Sequence, residues 1–215
     1  MQAWRDGGLA GWEIVRVHTR SRPAPNFFDA QYDLIIEAAG PAALAMHGVR
    51  ALECADVWTV SGSALADSRL FDALEEAGER SGHRLRLVAG AIAGLDAVAA
   101  GAVDPQAELR LELDLPPGEA SSGVPFSGSV REAAARFPGN VNVAVAAALA
   151  GPGLDHTRVE VTRPAGPRHR LALTIQSRFG TTATSSEPRV APGTHPVAAC
   201  LIAELQRELR TIWAG

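Results

Sequence analysis

The stretch Phe137-Pro-Gly-Asn-Val-Asn-Val-Ala-Val-Ala-Ala-Ala-Leu-Ala-Gly151 decides how this chain is read. Pro138 and Gly139 interrupt regular structure, two asparagines flank Val141, and a run of apolar residues follows. The short amide of Asn140 can accept from the free N–H groups of a first helical turn, so Asn140 is expected as an N-cap. The Val/Ala run is apolar on every side, which predicts a buried helix. Such a helix, with two amides at its start, is either an ordinary capped core helix or a place that holds an anionic group.

Upstream of this stretch, short apolar segments alternate with helical ones. Residues 12–18 (Trp-Glu-Ile-Val-Arg-Val-His) read as a strand, with Val15 and Val17 on one face and Trp12 and Ile14 on the other. Residues 33–37, 57–60 and 85–88 read as further strands of the buried parallel kind. Helices are expected over residues 41–50, 67–82 and 91–101; the second is amphipathic, with Leu70, Leu74 and Ala77 facing in. This alternation predicts a parallel α/β sheet. Past Pro105 the pattern changes. Leu109, Leu111, Leu113 and Leu115 share one face, which suggests an antiparallel strand over residues 107–115. Residues 116–128 are expected as loop, 130–136 as a short helix, and 157–162 and 170–176 as two alternating strands joined by a turn at 164–167. Residues 177–193 read as irregular and 196–212 as a final amphipathic helix. The fold class is therefore α/β with a Rossmann-like parallel sheet, followed by an α+β domain with a mixed or antiparallel sheet. The expected division is residues 1–105, joined by helix 196–215, and residues 106–195.

Composition removes several functions. All 20 basic residues are arginine, and lysine is absent. Schiff-base chemistry, a P-loop with its Gly-Lys pair and a Tyr/Lys hydride-transfer site built on Tyr32 are therefore excluded. The net charge of −4, without a basic stripe, argues against nucleic-acid binding. Cys54 and Cys200 fit neither a disulfide framework nor a Cys-x-x-Cys metal site. With no apolar run of the roughly 18 residues a spanning helix needs, and no signal-peptide pattern at Met1, a soluble cytoplasmic protein without a membrane or metal partner is expected.

Ligands of open parallel sheets bind at the carboxyl ends of the strands. Three loops are expected there: residues 19–23, 37–41 and 61–67. Gly40 and Pro41 would admit a flat ligand, and Ser61, Gly62 and Ser63 carry hydroxyl and N–H groups; ordinary turn chemistry accounts for each loop equally well. At the end of the 12–18 segment a dinucleotide fold places an acid for a ribose 2′-hydroxyl, or an arginine for a 2′-phosphate. Here the sequence is His18-Thr-Arg-Ser, so Arg20 would pair with phosphate through its planar fork, unless it is simply a solvated surface arginine. His169 lies between Arg168 and Arg170, where neighbouring cations favour the neutral imidazole, a form suited to a base.

Gly90-Ala-Ile-Ala-Gly-Leu-Asp96 and the opening stretch, with Glu37-Ala-Ala-Gly40, Ser61-Gly-Ser-Ala-Leu-Ala-Asp67 and His169, resemble the L-aspartate dehydrogenase family in order from about Trp12 to Leu209. The resemblance implies a homodimer with a small-molecule substrate, moving hydride between the Cα of aspartate or a related amino acid and NADP or NAD. It implies His169 as catalytic acid/base. Asn140, Asn142 and Thr194 would position substrate, and Arg20, Ala39, Gly40, Ser61 and Ala91 would bind cofactor. The chain departs from the family pattern at Ala89, where serine is usual, and at Gly139, where lysine is usual. Ala191-Pro-Gly193-Thr stands in place of Asn-Pro-Lys-Thr. Arg163, Arg168, Arg178 and Arg189 are the cations that could compensate. A cofactor-free relative doing lyase, hydrolase or imine chemistry, or a non-catalytic binding protein, remains the alternative; nicotinamide binding discriminates them.

A dinucleotide fold opens with a strand and a G-x-G-x-x-G loop. Gly7, Gly8 and Gly11 do not follow a strand and read as a helix's C-terminal stop. The expectation is that Met1 is internal, with the first strand and glycine loop encoded upstream in frame.

Overall fold

A computed structural model describes residues 9–115, 125–162, 169–189 and 195–212. Three short parallel strands come first: β1 (Leu34–Glu37), β2 (Asp56–Thr59) and β3 (Leu85–Leu87), in spatial order β1-β2-β3. Helices α1 (Pro41–Cys54) and α2 (Ser68–Ser81) connect them and pack on one another. Pro41 enters α1 at its first position, where its missing N–H costs nothing. Asp67 caps α2 by accepting from Arg69 N–H at 2.9 Å, and Gly82 ends it in the left-handed region. Helix α3 (Leu95–Gly101) follows β3, four residues later than the sequence suggests. The start is delayed because Gly90 and Gly94 both have positive φ, 72° and 90°, which the right-handed helix excludes.

The second sheet has five strands in the order β5-β6-β4-β7-β8: β4 (Glu108–Asp114), β5 (Phe126–Ser129), β6 (Arg158–Thr162), β7 (Leu171–Ser177) and β8 (Gly180–Ser186). β4 lies at its centre, antiparallel to β7 but parallel to β6, so the sheet is mixed. The two expected strands around residues 157–176 exist but do not pair with each other. β4 sits between them, and the turn expected at 164–167 lies outside the described residues. Two elements contradict the irregular readings. β5 occupies the end of the expected 116–128 loop, and β8 occupies much of 177–193. Leu109, Leu111 and Leu113 face the core while Glu108, Arg110 and Glu112 face out, the period-two pattern expected of a sheet covered on one side.

Helix α4 (Val130–Arg136) starts with a complete capping box: Ser129 accepts from Glu132 N–H, and the Glu132 carboxylate accepts from Ser129 N–H at 2.8 Å. Helix α5 (Asn142–Ala150) is the predicted buried helix, with Ala144 through Ala148 sealed from solvent. Small side chains let α5 pass between α3, α4 and the loop after β2. Helix α6 (Pro196–Glu208), shorter than the expected 196–212, returns to the first sheet. Leu205 packs with Trp58 and Val88, and its carbonyl accepts from the Trp12 indole at 2.9 Å. Arg86 lies over the Trp58 ring and pairs with Glu204 and Glu208 of α6.

Residues 12–18 do not form the predicted strand. Ile14 and Val15 are exposed, and β1, with Ile36 also exposed, has no strand on its outer side among the described residues. A strand is stable only where a neighbour takes its N–H and C=O groups, and residues 12–18 pair with no described strand, the open edge of β1 included. Beyond it, Thr19 and Arg22 close a tight turn through reciprocal backbone hydrogen bonds of 3.1 and 3.2 Å.

Candidate functional site

A cavity of about 800 Å³ lies where the carboxyl ends of the first sheet meet α5, the second sheet and the entry to α6. Val60 and Val88–Ala91 come from the loops after β2 and β3, and Gly139, Asn140, Asn142 and Val143 from the start of α5. Leu115, His169 and Leu171 come from the second sheet, and Pro188, Arg189, His195 and Val197 from the segment leading into α6. His169 and Leu171 are two residues apart at the start of β7 and so share a face. Arg170, between them, turns the other way, onto Glu112 at 2.8 Å and Ser185. Its charge is thereby compensated, which removes one of the two cations expected to act on the imidazole; Arg168 lies outside the described residues.

The two asparagines divide their work. Asn140 is not the N-cap: its N–H closes a turn onto the Phe137 carbonyl at 3.0 Å, Gly139 takes a φ of 84°, and the cap position falls to Val141. The Asn140 amide is half-buried on the cavity wall. Asn142 is the structural one. Its Oδ1 accepts from Ser63 N–H at 2.8 Å, and its Nδ2 donates to the Gly139 carbonyl at 3.0 Å. Gly139 N–H in turn donates to the Ser63 hydroxyl at 3.0 Å. This lattice ties the loop after β2 to the turn before α5, so the floor of the cavity is held by both.

Of the other expected site residues, Ala91 lines the cavity, and Ala89 and Gly139 line it at the positions where the family pattern has serine and lysine. Thr194, with Ala191 and Gly193, lies outside the described residues, as does Arg163. Ala39 and Gly40 stand at the end of β1, where both N–H groups donate to the Glu37 carboxylate at 2.7 and 2.9 Å. The other Glu37 oxygen accepts from Thr59 at 2.5 Å. That loop therefore brings surface to a ligand rather than free N–H groups. A Cβ at Gly40 would meet nothing within 4 Å, so the space beside it is open to a flat ring. Ser61 is buried, and its Oγ has no hydrogen-bond partner among the described residues, an orphaned hydroxyl beside the same strand ends. Arg20 is exposed in the bend after residue 19; it does not line the large cavity. His18 nearby accepts from Ala24 N–H and lines a small cavity of about 90 Å³ with Glu37, Ala39 and His47. Arg178 is drawn away from the site by Asp104 at 2.8 Å. Arg189, one of the four arginines named above, and His195 also line the cavity, but neither lies in an element with a recognisable sequence pattern.

Comparison with known proteins places the chain in a family. Residues 88–209, more than half of the chain, match the family described as aspartate dehydrogenase, C-terminal. This chain belongs to the aspartate dehydrogenase family. Residues 16–88 match the NAD-binding domain of homoserine dehydrogenase. L-aspartate dehydrogenase 2 of Bordetella bronchiseptica is 43% identical over 160 residues, covering 66% of this chain and 60% of that protein. L-aspartate dehydrogenase of Acinetobacter baylyi is 35% identical over 175 residues, covering 72% and 65%. The chain thus spans less than two thirds of these curated relatives. The crystal structure of aspartate dehydrogenase from Thermotoga maritima superposes with a TM-score of 0.72 at 22% identity, covering 94% of this chain and 83% of that one, and so shares its fold. Among the described residues no helix is long and apolar enough to cross a membrane, and no cluster of His, Cys, Asp and Glu could hold a metal ion.

Proposed function

We propose that this chain carries the substrate site of an NAD(P)-dependent dehydrogenase acting on aspartate or a closely related amino acid. The observation that carries this reading is the convergence of His169, Asn140 and the backbone of 88–91 on one cavity at the carboxyl ends of a parallel sheet. Open α/β sheets bind ligands at that place. The residues present fit the nicotinamide end of the cofactor: open space at Gly40, the unsatisfied hydroxyl of Ser61, and Ala91 on the cavity wall. A glycine-rich pyrophosphate loop is not among the described residues. When bound, the nicotinamide supplies the acceptor for the Cα hydride.

The chain's own residues do the rest. Loss of hydride from Cα and of a proton from nitrogen leaves an imino acid, and water adding to its carbon must give up a proton. The His169 imidazole, on the wall of the cavity, is the group that takes and returns that proton. Asn140 offers an amide that can both donate and accept, which suits a substrate bearing an amine and a carboxylate. Asn142 acts as a positioning residue through Ser63 and Gly139. Division of the chain into a cofactor part (1–105 with 196–215) and a substrate part (106–195), and assembly as a homodimer, complete the proposal.

The test is aspartate-dependent reduction of NAD⁺ and NADP⁺ by the purified protein. His169→Ala is expected to lower turnover on the order of 10²–10⁴-fold with cofactor affinity nearly unchanged, while Asn140→Ala mainly raises KM. Full activity in His169→Ala would move the acid/base role elsewhere. Turnover of a substrate without any nicotinamide would favour the cofactor-free alternative.

A further inference from the structure

The walls of the large cavity have an unusual charge pattern. Among the described residues no Asp or Glu lines it, and its polar side chains are Asn140, Asn142, His169, Arg189 and His195. Among the described lining residues Arg189 is the permanent cation, since a guanidinium does not lose its proton at any physiological pH. Three other arginines of the second sheet are held in ion pairs: Arg170 by Glu112, Arg178 by Asp104 and Arg110 by Glu108. Arg189 forms no ion pair among the described residues, and Pro188 before it restricts the backbone that carries it. A positive group beside an acid-free, largely apolar hollow focuses field onto whatever enters, and its fork matches a carboxylate in two hydrogen bonds.

We propose that Arg189, with His195 beside the entry to α6, forms an anion-recognising wall that selects substrates carrying a second carboxylate. This rests on the amino-acid dehydrogenase reading above. His169 and Asn140, just before β7 and α5, would face the reacting carbon, and Arg189 with His195 would hold the far end of the molecule. The specificity of the site thus depends on an arginine in a chain that lacks the family's lysines at positions 139 and 193.

Calorimetric titration of the full chain with succinate and with propionate separates this role from catalysis, because neither ligand reacts. The wild type is expected to bind succinate about 10- to 100-fold more tightly than propionate, the scale of a charge-assisted hydrogen bond. Arg189→Gln should abolish that preference, Arg189→Lys should restore part of it, and Arg110→Gln, which removes the same charge from an exposed position, should leave it intact. Far-UV circular dichroism and Tm check that each variant is folded. An unchanged preference in Arg189→Gln, or no preference in the wild type, overturns the proposal. Succinate selectivity lost in Arg189→Gln, in a protein that never reduces nicotinamide with aspartate, would retain the anion wall and overturn the dehydrogenase reading. Aspartate turnover with unaltered selectivity in Arg189→Gln would do the reverse.

Discussion

Arg20 is exposed and stands two residues after His18, which shares a small cavity with Glu37 and Ala39 at the end of β1. Residues 18–21 contain no carboxylate, the group that would hold a ribose 2′-hydroxyl. NADPH is therefore expected to bind more tightly than NADH, and Arg20→Ala should remove about 1–3 kcal/mol of that preference. Fluorescence titration of both nucleotides reads it directly, and equal affinity for the two in the wild type would refute the role of Arg20. Exposure makes the contrast salt-sensitive, since screened surface charges lose most of their attraction. At the same scale Asn142, expected at the substrate, lines the cavity while its amide joins Ser63 to Gly139.

At the scale of elements, the exit of α3 is fastened to the turn between β7 and β8 by one carboxylate. Asp104 accepts from the Arg178 guanidinium at 2.8 Å, from Arg178 N–H at 2.7 Å and from Gln106 N–H at 3.1 Å. The Arg178 side chain, then these backbone donors, hold the Asp104 carboxyl well below the usual carboxylate range. A depressed folded-state pKa means that the unfolded chain takes up this proton first as pH falls. The stabilisation is therefore complete above the unfolded value near 4 and is lost as pH drops from there toward the folded value. Asp104→Asn should lower Tm at pH 7, and the gap from wild type should narrow as thermal melts are taken from pH 5 down to pH 3. A gap that stays constant across that range would show that the carboxylate's charge is not what fastens the two elements.

Over the whole molecule, α6 carries the chain back onto the first sheet. Leu205 is 3% exposed among Trp58 and Val88, and Arg86 clamps Glu204 and Glu208 across the same contact. The ion pairs are partly exposed and contribute little; the burial of Leu205 and Trp58 carries the docking. Leu205→Ala is expected to cost about 2–5 kcal/mol in urea denaturation, by lost transfer energy and the cavity left behind. A loss under about 0.5 kcal/mol would mean that α6 is held by other contacts. Because Val197 on α6 and Val88 on the strand-end loop both wall the cavity, loosening this contact should also weaken ligand binding there.

What the sequence determined by itself is local in origin. The side-chain alternation of Leu109, Leu111 and Leu113, the all-apolar run of α5 and the amphipathic period of α2 are written in consecutive residues, and each element formed as read. Gly90, from the stretch quoted after the third strand, lines the large cavity, whereas the expected loops 19–23, 37–41 and 61–67 do not. Tertiary structure alone decided the rest. β8, Gly-Thr-Thr-Ala-Thr-Ser-Ser, is an edge strand with almost no buried side chain, so hydrophobic periodicity could not reveal it; β7 supplies its hydrogen bonds. β4 separates β6 from β7 although their sequences adjoin, because strand order answers to partners far away in the chain. Residues 12–18 have the composition of a strand and are not one, since a ladder needs a second edge that composition does not provide. Arg189 joins the cavity by the same non-local route. Side-chain period is a property of neighbours in sequence, whereas backbone pairing and the convergence of charges are properties of neighbours in space.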